Sequence, residues 1–100
     1  MSDTTYSRTV TIVNEQGLHL RPAKLFVELA STFDCKLEVV KNDTRIDGKS
    51  ILSILTLGAT QGTEVCLEGS GDDSQQAVDA LVDLVESGFP TPETDQETVS

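Results

Sequence analysis

The apolar residues of this chain switch repeatedly between a period of two and a period near four, and that switching dictates what it can fold into. Arg8 to Asn14 alternates as a strand does, with Val10 and Ile12 on one face and Thr9, Thr11 and Val13 on the other. The turn Asn-Glu-Gln-Gly separates it from a helix expected over about Leu20 to Thr32, where Phe26, Leu29, Ala30 and Phe33 share a face. Pro22 suits the first turn of that helix, because a missing N–H costs nothing there. Lys36 to Lys41 alternates again, with Leu37 and Val39 facing one way, and Thr44 to Asp47 reads as a short third strand. Ser50 can cap a short apolar helix, Ile51 to Leu57, which Gly58 ends. Thr63 to Glu68 is a fourth strand with Val65 and Leu67 inward. Ser74 to Ser87 is a helix with Ala77, Val78, Leu81, Leu84 and Val85 as its apolar stripe.

The order is therefore βαββαβα in an α+β chain. Three helices suffice to cover one face of a four-stranded sheet, so a two-layer open-faced sandwich is expected. Residues 1–89 are read as the domain. Residues 90–100, polar and rich in Pro, Thr and Glu, are read as a disordered tail.

Charge narrows the partners. All seven basic residues lie in the first half, against seven acids; the second half holds ten acids and no base. Phosphate neutralisation needs a basic face, so nucleic acid is excluded as a partner. The apolar run Ile51 to Leu57 is far below a membrane span, and Met1 to Arg8 has no apolar core of a signal peptide, so a cytoplasmic protein without membrane insertion is expected. The two cysteines make no Cys-x-x-Cys pair, and with one histidine no structural zinc site is within reach. On the strand parities Cys66 points away from the core and Cys35 toward it, which predicts free thiols.

The single histidine stands at an unusual place. In Gly17 to Phe26, GLHLRPAKLF, His19 enters the helix and Arg21 follows it. Helix entrances carry unpaired N–H groups with partial positive charge, which disfavour a further cation and suit an anion. Arg21 adds a permanent cation whose donors match phosphate. This is the surrounding of a histidine that can accept a phosphoryl group and hold it. A Cys–His nucleophilic dyad has no flanking motif behind it, and no paired carboxylate, nucleophile elbow or oxyanion motif suggests a hydrolase.

The motif GLHLRPA, with GKSILSILTLGATQGTEV and SQQAVDALVDLVESGF after it, resembles the HPr family, the histidine-containing phosphocarriers of the bacterial phosphotransferase system. The resemblance runs from about Thr9 to Phe89. It implies that His19 takes phosphate from phosphoenolpyruvate through enzyme I, at Nδ1, and gives it to an EIIA domain. It implies that Arg21 assists, that no cofactor or metal takes part, and that the protein is a relay carrier, not an enzyme. Leu20 stands where the family usually has a small residue or threonine.

The resemblance also matches Ser50 to the serine that HPr kinase/phosphorylase modifies in many bacteria. Ile51, Leu52 and Leu55 are expected as an exposed apolar docking patch, with Leu20 beside the histidine and Arg21, Lys24 and Lys49 as a basic rim. The monomer is the expected state. The alternative function is a regulatory HPr-like protein, of the nitrogen-type phosphotransferase branch or signalling through Ser50, that acts mainly by binding proteins.

Overall fold

Alternation along four short segments builds one antiparallel sheet in a computed structural model that describes residues 5–89. The strands are β1 (Thr5–Thr11), β2 (Lys36–Lys41), β3 (Thr44–Asp47) and β4 (Glu64–Ser70), in the order β1-β4-β2-β3. Helices α1 (Leu20–Ala30), α2 (Ile51–Leu57) and α3 (Ser74–Glu86) complete the βαββαβα order expected from the sequence. The expected tail, residues 90–100, lies outside the described residues.

Register explains the layers. Val10 pairs with Val65 and Leu67 with Val39, and all four are buried on the helix-covered face. Phe26, Ala77, Val78, Leu81 and Val85 close on them from the helices. The opposite face carries Thr9, Cys66, Glu38, Glu68 and Arg45; there the Arg45 guanidinium donates to Glu38 at 2.8 Å and also to Glu68. Cys66 is half-buried on that face, Cys35 is buried, and both are free thiols.

Three expectations need correction. The first strand occupies Thr5–Thr11, not Arg8 to Asn14. Its inward positions below Val10 are Arg8 and Tyr6, which lie opposite Leu67 and Gly69 and both donate to Asp79 of α3, so polar tips replace the apolar signal there. Beyond Thr11 the chain leaves the ladder, although Ile12 still exchanges bonds with Thr63 and Gly62. On α3, Val82 is fully buried and Leu84 only partly, so the helix turns its stripe slightly from the expected one. On α1, Phe26 and Ala30 are buried while Leu29 and Phe33 are only partly so.

Each helix ends against a cation from another element. The Lys49 ammonium donates to the Phe33 carbonyl at 2.7 Å, just past α1. The Lys41 ammonium reaches the Leu57 carbonyl at 3.1 Å, at the end of α2. Arg21 donates to the Phe89 carbonyl at 2.8 Å, just past α3. Carbonyls at helix C-termini lack intrahelical donors and carry partial negative charge, so the Lys41 ammonium sits where the dipole of α2 favours it.

Candidate functional site

Asn14 to Gly17 forms the turn into α1, and Gly17 makes it possible. Its φ is +69°, and a Cβ there would lie 2.5 Å from the Ala59 carbonyl oxygen. Only a residue without a side chain can take that backbone and that proximity. The Leu18 N–H donates to the same Ala59 carbonyl at 3.0 Å, and the Gln61 carboxamide donates to the Val13 carbonyl at 3.0 Å. The loop that follows α2 therefore backs the loop that precedes α1.

His19 is the N-cap residue of α1, with extended backbone and a half-buried ring. Its side chain makes no capping hydrogen bond. Its N–H turns back to the Gly17 carbonyl at 3.0 Å, and its own carbonyl accepts from Ala23 N–H at 2.9 Å. Pro22 has no N–H to offer. Leu20 and Arg21 thus carry the two main-chain donors at the mouth of the helix without a hydrogen bond among the described residues. They are the positively polarised groups nearest in sequence to the histidine.

Arg21 is in the first turn of α1 but does not stand free. Its Nη2 holds the Phe89 carbonyl, and its Nη1 is buried with no partner among the described residues. That nitrogen is a charged donor left unsatisfied among the described residues.

The sequence expectation of a basic rim meets a different arrangement. Lys24 is exposed, but the Lys49 ammonium is spent on the Phe33 carbonyl and Arg21 on Phe89. Arg8 pairs with Asp79, Arg45 with Glu38 and Glu68, Lys36 with Glu38, and Lys41 with the end of α2. Among the described residues Lys24 alone of the seven bases has no such partner. Six of the seven basic residues thus also hold carbonyls or carboxylates of this chain.

The apolar patch is partly as expected. Leu20, Leu52 and Leu55 are 62%, 74% and 36% exposed, on two helices that pack against each other. Ile51 is not exposed with them: it is half-buried and packs on the core beside the buried Ile54 and Leu57. Ile51, Ile54 and Leu57 recur every three residues, so Ile51 shares the face that the other two turn to the core. Ser50 is the N-cap of α2, and its Oγ accepts from Ser53 N–H at 3.2 Å. A shallow hollow lined by Asp34, Cys35 and Ser70 to Asp73 shares no residue with this site.

Residues 6–87 match the family model described as the PTS HPr component phosphorylation site. The chain belongs to the HPr family. The phosphocarrier protein HPr of Neisseria meningitidis is 40% identical over 82 residues, covering 82% of this chain and 92% of that protein. The HPr of Haloferax volcanii is 41% identical over 91 residues, covering 89% and 98%. Among solved structures, HPr from Thermoanaerobacter tengcongensis superposes with a TM-score of 0.83 at 45% identity, over 87% of this chain and 98% of that one. HPr proteins are phosphocarriers of the phosphotransferase system, and the three-helix, four-strand architecture here is the HPr fold. No helix among the described residues is long and apolar enough to cross a membrane.

One feature of the site has no signature in the sequence. Arg21 and Phe89 are 68 residues apart, and nothing in their spacing announces that one holds the other.

Proposed function

We propose that His19 accepts a phosphoryl group from enzyme I of a phosphoenolpyruvate-dependent phosphotransferase system and passes it to an EIIA domain. The observation that carries this reading is the seat of His19: a half-buried ring, uncapped, at a helix mouth whose Leu20 and Arg21 amides are unpaired. In the first transfer a ring nitrogen lone pair forms the bond to phosphorus as phosphorus leaves enzyme I. In the second, that P–N bond breaks toward the nucleophile of the acceptor. Between the two, the dianionic cargo rests against the positive end of α1 and the Arg21 guanidinium. Partner proteins supply the rest of each reaction, so residues 1–89 work as a monomeric carrier unit in the cytoplasm.

Leu20, Leu52 and Leu55 form the apolar part of the docking surface, with Ile51 supporting it from beneath and Lys24 and Lys49 at its edges. Apolar clusters of this kind on small soluble proteins mark contact sites. Ser50 is a second, regulatory phosphorylation site for a kinase such as HPr kinase/phosphorylase. Its Oγ lies on a helix N-terminus, which tolerates an anion, while the added charge of about −1.5 to −2 would weaken docking to acidic partners.

The test is incubation with enzyme I and phosphoenolpyruvate, followed by acid or base. The label on the wild type should be lost in acid and survive base, and His19→Ala should take none. A His19→Ala chain that still acquires acid-labile phosphate overturns the reading.

A further inference from the structure

The loop that delivers His19 to its helix is closed twice by one residue, once through its main chain and once through its side chain. The Asn14 main-chain carbonyl accepts from Gly17 N–H at 3.0 Å, and the Asn14 carboxamide donates back to the Gly17 carbonyl. That carbonyl also receives the His19 N–H, at 3.0 Å. A single oxygen is thus gripped by Asn14 on one side and by the main chain of His19 on the other. Its direction sets where the His19 backbone enters α1, and so where the imidazole begins.

Gly17 cannot correct a misdirected carbonyl by itself. Its φ is +69°, and a Cβ added to it would meet the Ala59 carbonyl oxygen at 2.5 Å and the Thr60 α-carbon at 2.8 Å, so neighbouring backbone crowds that side of it. The fold therefore leaves the Asn14 carboxamide as the adjustable clamp. Its other end is telling: Oδ1 is buried and has no hydrogen-bond partner among the described residues. Burying an unpaired acceptor lowers stability. What the carboxamide contributes at this position is the direction of the Gly17 carbonyl, since its own bonding is left incomplete.

We propose that Asn14 is a positioning residue for phosphoryl transfer at His19, acting through the Gly17 carbonyl. The proposal rests on the carrier reading above. Asn14 touches neither phosphate nor partner; it fixes the approach geometry, on which transfer rates depend steeply.

The experiment compares wild type, Asn14→Ala and Asn14→Ser in rapid-quench phosphorylation by enzyme I and phosphoenolpyruvate. It adds imidazole ¹⁵N resonances and thermal melts of each chain. Asn14→Ala is expected to slow the saturated rate by roughly tenfold to a hundredfold. Its half-saturating concentration should stay near wild type, and the imidazole resonances should move. Asn14→Ser, which restores a donor, should recover part of the rate. A wild-type rate in Asn14→Ala, or a slow rate with unmoved imidazole resonances, overturns the proposal. If Asn14→Ala fails to fold, Asn14→Ser and Asn14→Asp are judged by the same criteria. A wild type that takes no label from an active enzyme I defeats the carrier reading and this proposal with it; a labelled wild type with unaffected variants defeats this proposal alone.

Discussion

Arg21 Nη2 donates to the main-chain carbonyl of Phe89 at 2.8 Å, tying the first turn of α1 to the residue just past α3. Phe89 is fully buried with φ +58°, so that carbonyl is presented by a residue with little freedom to turn away. The guanidinium of the residue two after the histidine is thereby held by the segment that follows α3. Arg21→Ala removes both the cation and its tie to the segment that follows α3. The loss of a charged hydrogen bond that is only partly buried should cost about 1–2 kcal/mol in a denaturant melt. Phosphorylation should slow by roughly 10²-fold, as when a donor to transferring charge is removed. Arg21→Lys should recover much of the stability and little of the rate, because an ammonium lacks the planar fork.

Gly17→Ala is expected to be more damaging than its size suggests. The added carbon would meet the Ala59 carbonyl oxygen at 2.5 Å and the Thr60 α-carbon at 2.8 Å, both backbone. A left-handed non-glycine residue alone costs roughly 1–2 kcal/mol. With the clash added, the unfolding free energy should drop by more than about 2 kcal/mol, and enzyme I should label the remaining folded protein slowly. Equal denaturant midpoints for variant and wild type would contradict this.

Asp73 links the two ends of another junction. Its carboxylate accepts from the N–H groups of Asp34 at 2.9 Å and Cys35 at 3.0 Å, joining the start of α3 to the approach to β2. The Asp34 N–H foremost, with help from Cys35, holds its pKa below the usual carboxylate range. A folded-state value below the unfolded one, about 3.9, means stability that is complete above that pH and lost as pH falls through the lower folded value. Asp73→Asn should therefore be less stable than wild type at neutral pH, and the gap should narrow as the pH falls below the unfolded value of about 3.9. A gap that stays constant from pH 7 to 2 in thermal melts would sink this assignment.

The two thiols should differ sharply toward alkylating reagents. Burial, and then the Asp73 carboxylate beside it, push the Cys35 thiol up to about 11. Since the thiolate is the reactive form, Cys35 should be nearly inert at pH 8. Cys66 lies half-buried on the open face of the sheet. Iodoacetamide in native buffer should give one modified site by mass spectrometry, at Cys66, and a second only after unfolding. Modification of Cys35 at an equal rate would refute the burial argument.

Much of the fold was legible because its elements advertise one face each. Ala77, Val78, Leu81 and Val85 repeat as a helix must, and Val65 and Leu67 alternate as a strand must; both sets are buried where expected. β1 was misplaced because Tyr6 and Arg8 occupy inward registers as polar side chains held by Asp79, an interaction between residues more than 70 apart. The entrance of α1 at His19 was readable from the local motif. The Asn14–Gly17 clamp and the Arg21–Phe89 contact were not, since each depends on how a loop or a chain end returns in space. Which lysine finds a helix end is likewise a tertiary fact, as Lys49 and Phe33 show.

The brevity of α2 has its own consequence. Seven residues are well short of the 12 to 15 or so that a helix needs to persist alone in water. Its shape is maintained from outside, by Ser50 at one end, the Lys41 ammonium at the other, and Ile54 and Leu57 sunk beneath. The segment bearing Leu52 and Leu55 is thus among the first to open in native-state amide exchange. A protein that settled on those leucines would add one more outside support to this helix, so its recognition would be coupled to local ordering.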